Sequence, residues 1–246
     1  MIELIFLGIG VGTLSGFFGI GGGTILVPML LLLGHAIKDA IGISIVQMVF
    51  SSIYGSYLNN KKKTLDVPMV LTIGIGGFFG AMLSGFIASS IDDKALEVLF
   101  LAFAVFALGR LFFKTKVEAT QKELNKVFLF LIGLFLGTLS MLIGVGGSII
   151  LVPILVGFLH VDLKKAISAG LFFVVFSSVA GLISHSLSRE IDFYSGAVIG
   201  LSSLVGVYVG IHLKDRVDSV VQKKLLVGFY LLIVIYLAFR IFFRGN

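Results

Sequence analysis

A run of glycines, Gly19-Ile20-Gly21-Gly22-Gly23, interrupts an apolar stretch that extends from Leu4 to Leu33, and it is followed by Thr24 and, four residues later, Pro28. The run returns 125 positions later as Gly144-Val145-Gly146-Gly147-Ser148, followed by Pro153. Both copies are preceded by Gly-Thr-Leu-Ser, at 12–15 and 137–140. Thirteen of the 24 positions from Gly12 to His35 are identical in Gly137 to His160, the closing histidine included. Clustered glycines weaken a helix because the backbone loses more freedom there and no side chain packs in return, and the proline removes a further donor. At membrane depth such breaks are tolerated only where the freed backbone is buried in protein or lines a cavity, so two corresponding breaks predict a transport site. A second reading stays open, close helix packing through small residues. It suits the isolated pairs Gly12/Gly16, Gly76/Gly80, Gly133/Gly137, Gly196/Gly200 and Gly206/Gly210 better than the two tandem runs.

The membrane setting follows from composition. Apolar residues make up 58% of the 246 and charged residues 13%, against about 25% charged in a soluble domain. Several uninterrupted apolar runs reach spanning length. The longest polar stretch, Lys114 to Lys126, holds 13 residues and leaves no room for a soluble domain. The net charge of +6 lies in short loops, where it sets orientation and implies no nucleic-acid role. Cysteine is absent, which removes disulfides, thiolate metal sites and thiol relays from consideration. The N-terminus lacks the basic start of a signal peptide and is expected to be retained.

The chain reads as one membrane-embedded domain over 1–246, with repeat 1 at 1–114, a linker at 115–125 and repeat 2 at 126–246. Beyond the glycine runs the halves match at an offset of 126, with Phe50-Ser51-Ser52 against Phe176-Ser177-Ser178 and Leu65-Asp66 against Ile191-Asp192. Asp66 followed by Pro68 fits a helix start. If each broken segment crosses the membrane once, the better orientation puts 11 of 19 Lys and Arg inside and 8 outside. If each re-enters its own side, each half has three spans, the halves are inverted, and an outside N-terminus puts 14 inside and 5 outside. The positive-inside rule favours the second arrangement. The fold class expected is therefore an all-α polytopic membrane protein of two homologous halves, inverted repeats. Each half carries a glycine-broken re-entrant segment and three transmembrane helices.

At these residues the chain resembles the sulfite exporter TauE/SafE family of membrane permeases, whose hallmark is a Gly-x-Gly-Gly-Gly-x-x-x-x-Pro pattern in two copies. The first copy, Gly19 to Pro28, matches in full, and the second has Ser148 in place of the third glycine. The resemblance covers nearly the whole chain. It implies bacterial or archaeal plasma-membrane transport, in the export direction, of small anions that are often sulfur-containing, such as sulfite, sulfonates or sulfoacetate.

No Lys or Arg lies in the middle of a span, and the most inward, Arg110 and Arg240, are close enough to helix ends to snorkel. An anion must then be held by dipoles, and free N–H groups at the start of a half-helix suit one. The candidate binding residues are Gly21, Gly22, Gly23, Thr24, Gly146, Gly147 and Ser148, joined along the pathway by Gln47, Ser51 and Ser177. The competing reading has these serines bonding to their own helices and Gln47 to a neighbouring helix. His35 and His160 are candidates for proton coupling, set against an interfacial structural role. His185 and His212 have no histidine partner in the other repeat and receive no role. No metalloprotease, nucleophile-elbow or phosphate-loop motif is present, so the chain is read as no enzyme and as needing no cofactor or metal. A passive anion channel stays open as an alternative. The partners expected are a small anion and the lipid bilayer, with no nucleic acid; a homo-oligomer is left open.

Overall fold

A computed structural model describes residues 1–61, 67–112, 125–157, 161, 163–188, 191–214 and 216–243. Among the described residues all regular structure is helical. The order is α1 (Ile2–Phe18), α2 (Gly23–Leu32), α3 (Ile37–Lys61), α4 (Val67–Ser90), α5 (Asp93–Phe112), α6 (Lys126–Leu142), α7 (Ser148–Gly157), α8 (Leu163–Ser188), α9 (Phe193–Lys214) and α10 (Ser219–Phe243). Five of these, α3, α4, α8, α9 and α10, are long and apolar enough to cross a membrane. The expected cap Asp66 and nearly all of the 115–125 linker lie outside the described residues. The counterpart Asp192 does cap α9, its Oδ1 accepting from Ser195 N at 2.9 Å, and Asn125 caps α6 in the same way.

Glycines decide which helices lie side by side. A Cβ on Gly12 would run into the Ser203 carbonyl and one on Gly16 into Val207, while α9 answers with Gly206 and Gly210 against Ile9 and Thr13. The same arrangement joins α6 to α4, with Gly133 on Ile73, Gly137 on Gly77 and Gly80 on Leu134. These pairs let backbones approach closely, as small residues do in membrane interfaces. In contrast, Gly196 and Gly200 receive the side chains Val46 and Phe50 of α3.

Direction follows from the same pairs. α1 runs parallel to α9, Gly8 lying by Ile199 and Gly16 by Val207, and α3 also runs parallel to α9, Val46 lying by Gly196 and Phe50 by Gly200. Because α1 and α3 start at the same end, the chain between them must double back, and α1–α2 is a re-entrant hairpin. Its two ends lie towards the same end of α9, Met1 beside Tyr194 and His35 within electrostatic reach of Asp192. Along α4, both α6 and α8 run parallel, so α6–α7 is a second hairpin. α4 follows α3 by a short connection, so the second hairpin enters from the opposite end. The return limbs α2 and α7 have 10 residues each, about 15 Å. Their N-termini therefore meet near half depth of an apolar layer about 30 Å thick.

Proline does not end either limb. Pro28 and Pro153 sit inside α2 and α7, and the break is carried by the glycines alone. The outer pair, α5 and α10, packs through Phe100, Phe103, Ile233 and Leu237. α10 turns Leu232, Ile235, Phe239 and Phe242 outward, a face that suits lipid. It also braces the first hairpin. Gln222 Nε2 donates to Phe17 O at 2.7 Å and Arg240 Nη1 to Leu31 O at 2.6 Å. Arg240, expected to snorkel, is thus held by protein, with Glu97 Oε1 accepting from its Nε at 3.0 Å.

Candidate functional site

The two glycine loops meet at the centre of the bundle. α1 closes on Gly19, whose N–H reaches Ser15 O at 2.8 Å with φ 67, and Gly21 follows at φ 71. In the second loop Gly144, Gly146 and Gly147 have φ 68, 84 and 75. A β-branched residue tolerates such values poorly. Gly22 differs, with φ −67. Its need for glycine is contact: a Cβ there would collide with the Gln47 amide. Gly23 lies against the Gly144 carbonyl, which is what lets the loops touch.

Helix starts leave their first amides unpaired. The first amides of α2 to find a backbone acceptor are Ile25 and Leu26, both on Gly22 O at 3.1 and 2.9 Å. In α7 they are Ile150 and Leu151, on Gly147 O at 3.3 and 3.1 Å. Among the described residues the amides of Gly21, Gly22, Gly23 and Thr24, and of Gly146, Gly147, Ser148 and Ile149, have no backbone acceptor. Two sets of buried donors, each at the positive end of a helix, are thus brought together from opposite ends of the bundle.

Side chains complete the surroundings. Ser44 Oγ donates to Gly144 O at 2.9 Å, and Thr24 Oγ1 lies 3.4 Å from Val145 O, tying one loop to the other. Gln47 lies against Gly22 and donates from Nε2 to Ser203 Oγ at 3.2 Å. Ser148 Oγ and Ser15 Oγ are buried with no partner. Ser51 and Ser177 turn back on their own helices, towards Met48 O at 3.4 Å and Phe173 O at 3.3 Å. His35 stands half-buried past the far end of α2, well away from the loops, and His160 lies outside the described residues. Among the described residues no three His, Cys, Asp or Glu side chains gather as a metal site would need.

Ser203 was not singled out in the sequence, where a serine in an apolar span carries no signal until the partner helix is known. At the sequence offset of 126, His185 falls on Asn59. Both are buried, and His185 Nε2 lies 3.2 Å from Met141 O. At the bundle end, Ser195 holds the Asp192 carboxyl below its usual range through its hydroxyl and its amide.

A bundle of apolar helices that encloses two opposed re-entrant hairpins, with unpaired backbone at their meeting point, defines a multi-pass membrane transporter. The family profile described as sulfite exporter TauE/SafE matches residues 4–237, and the chain belongs to that family. The probable membrane transporter protein YdhB of Bacillus subtilis is 28% identical over 221 residues, 87% of this chain and 90% of its own. A second B. subtilis protein, YunE, also a probable membrane transporter, is 23% identical over 271 residues, 99% and 98% of the two chains. A probable membrane transporter protein of Methanocaldococcus jannaschii is 29% identical over 192 residues, 74% and 71%. No solved structure matches the chain.

Proposed function

We propose that this protein is a secondary transporter that exports small sulfur-containing oxyanions, of the sulfite or organosulfonate type, across the plasma membrane. The anion sits between the glycine loops and is held by the amides of Gly21 to Thr24 and Gly146 to Ser148, with Gln47 beside it. One observation carries this reading: two helix N-termini face each other with eight amides lacking a backbone acceptor, and the surrounding side chains are serine, threonine and glutamine rather than Lys or Arg. Dipoles of this kind favour negative charge without a fixed cation. The family's name supplies sulfite as the first substrate to try.

Opposed hairpins also support an inverted duplication, in which the pairing of α1 with α9 is repeated by α6 with α4. Movement of one half against the other around a fixed site then gives alternating access. The place of His35, past the end of α2 and within electrostatic reach of Asp192, supports a structural role over proton coupling. The test is flux of sulfite, thiosulfate, sulfoacetate and acetate into proteoliposomes holding the purified chain. Saturable flux with counterflow, strongest for the sulfur oxyanions, is expected. Linear flux without counterflow would make the protein a channel, and no flux of any of the four would end the anion reading.

A further inference from the structure

The hydrogen bonds around Gln47 fix which way its amide points. Ser203 Oγ donates its one proton to Gly200 O at 2.6 Å, so towards Gln47 it can only accept. The group 3.2 Å away must then be Nε2, the donor, which turns Oε1 towards Gly22 at the start of α2. Oε1 is fully buried and has no hydrogen-bond partner. A buried acceptor left unpaired is costly, and its presence beside a cluster of unpaired donors calls for explanation.

The two-fold arrangement sharpens the point. The position matching Gln47 in the second half is Phe173, which packs against Gly77 and Gly147, and the position matching Ser203 is Gly77. The glutamine and its orienting serine thus exist on one side only. A symmetric dipole cage needs neither.

We propose that Gln47 Oε1 is a specificity element that accepts a hydrogen bond from the transported ion, so that the substrate class is a singly protonated oxyanion or another small anion bearing an O–H or N–H donor. This rests on the anion site proposed above. The amides and the Ser148 hydroxyl supply donors to the unprotonated oxygens, and Oε1 supplies the acceptor for the proton-bearing one. Ser203 acts through Gln47 as a positioning residue. An anion of the same shape without a donor, an organosulfonate included, leaves Oε1 unpaired and is carried less well, because leaving a buried polar group unpaired is a stronger discriminator than a change of size.

Hydrogen sulfite and methanesulfinate make a suitable pair of probes, since both carry one negative charge and differ by a hydroxyl in place of a methyl. In proteoliposomes with the full chain, hydrogen sulfite should be preferred about tenfold or more in flux and in competition. Gln47→Met should collapse that ratio towards one. Ser203→Ala frees the amide to present Nε2 instead, and should also lower the ratio while leaving the anion site intact. It serves as the second arm if the methionine variant does not fold. Equal transport of the two probes by the parental protein would overturn the donor requirement and leave the anion site standing. A ratio unchanged in a folded variant of either residue would overturn the role of Gln47, and transport of neither probe would remove the site on which the proposal rests.

Discussion

Arg240 Nη1 lies 2.6 Å from Leu31 O, so a side chain of α10 caps the C-terminal end of the first re-entrant limb. Cations favour that end of a helix, where the last carbonyls lack intrahelical partners. Replacing Arg240 by Ala leaves this carbonyl to the Gly34 amide and strips Glu97 of its partner. Thermal melting in detergent should show a loss of about 1.5–3 kcal/mol, the usual range for hydrogen bonds to charged groups. Arg240→Lys should recover little of it, because one ammonium does not reproduce two forked contacts. A melt unchanged by Arg240→Ala would show that α10 does not brace the hairpin.

The re-entrant course of α1–α2 predicts a labelling pattern that the absence of cysteine makes easy to read. Single cysteines at Glu3 and Ala36, both exposed, should react with an impermeant thiol reagent from the same side of the membrane. One at Asn60, also exposed, should react from the other. With the N-terminus outside, as the distribution of Lys and Arg favours, intact cells label Glu3 and Ala36 and spare Asn60. Reaction of Glu3 and Ala36 from opposite sides would mean that the broken segment crosses.

Asp192 gives a dependence on pH. Its folded carboxyl is held below the usual range by Ser195, so its contribution is present above the pKa of the unfolded chain and is lost as pH falls through the folded value. At neutral pH, Asp192→Ala should cost about 0.5–2 kcal/mol as a lost N-cap. The gap between variant and parent should close in strong acid. Melting curves across that range check it, and a gap that persists unchanged at low pH would rule the carboxylate out as its source.

Packing glycines and open glycines should separate cleanly. A Cβ on Gly12 strikes the Ser203 backbone, whereas one on Gly10 meets nothing within 4 Å. Gly12→Ala should therefore destabilise, and Gly10→Ala should be neutral or gain up to about 1 kcal/mol from helix propensity. Equal melts for the two variants would remove the close α1–α9 contact.

What could be read from the chain alone follows from how local each feature is. Clustered glycines break a helix wherever they occur, so the ends of α1 and α6 were legible, and charge counting favoured re-entry over crossing. Pro28, the sixth residue of α2, removes a donor without ending the helix. The partners of Gln47 and Arg240 were not legible, because Ser203 and Leu31 lie 156 and 209 positions away in sequence. The packing of α3 on α9, with Val46 and Phe50 seated on Gly196 and Gly200, brings the first pair together. Ser51 reads as part of the pathway from its place one turn from Gln47; its hydroxyl turns back to Met48 O, whereas that of Ser44, on the same helix, reaches Gly144 O.

The most direct test of the account is anion affinity and flux for Gly22→Val and Gly147→Val, measured in proteoliposomes alongside thermal melting. The two changes fail for different reasons, collision with the Gln47 amide at Gly22, and φ 75 with Phe173 and Ser140 in the way at Gly147. Thr24→Val, which removes one hydroxyl, should cost only about 0.5–1.5 kcal/mol of binding. The account predicts that either glycine variant, folded, loses saturable anion flux. If both fold and transport at the parental rate, the glycine loops are packing surfaces and the anion binds elsewhere.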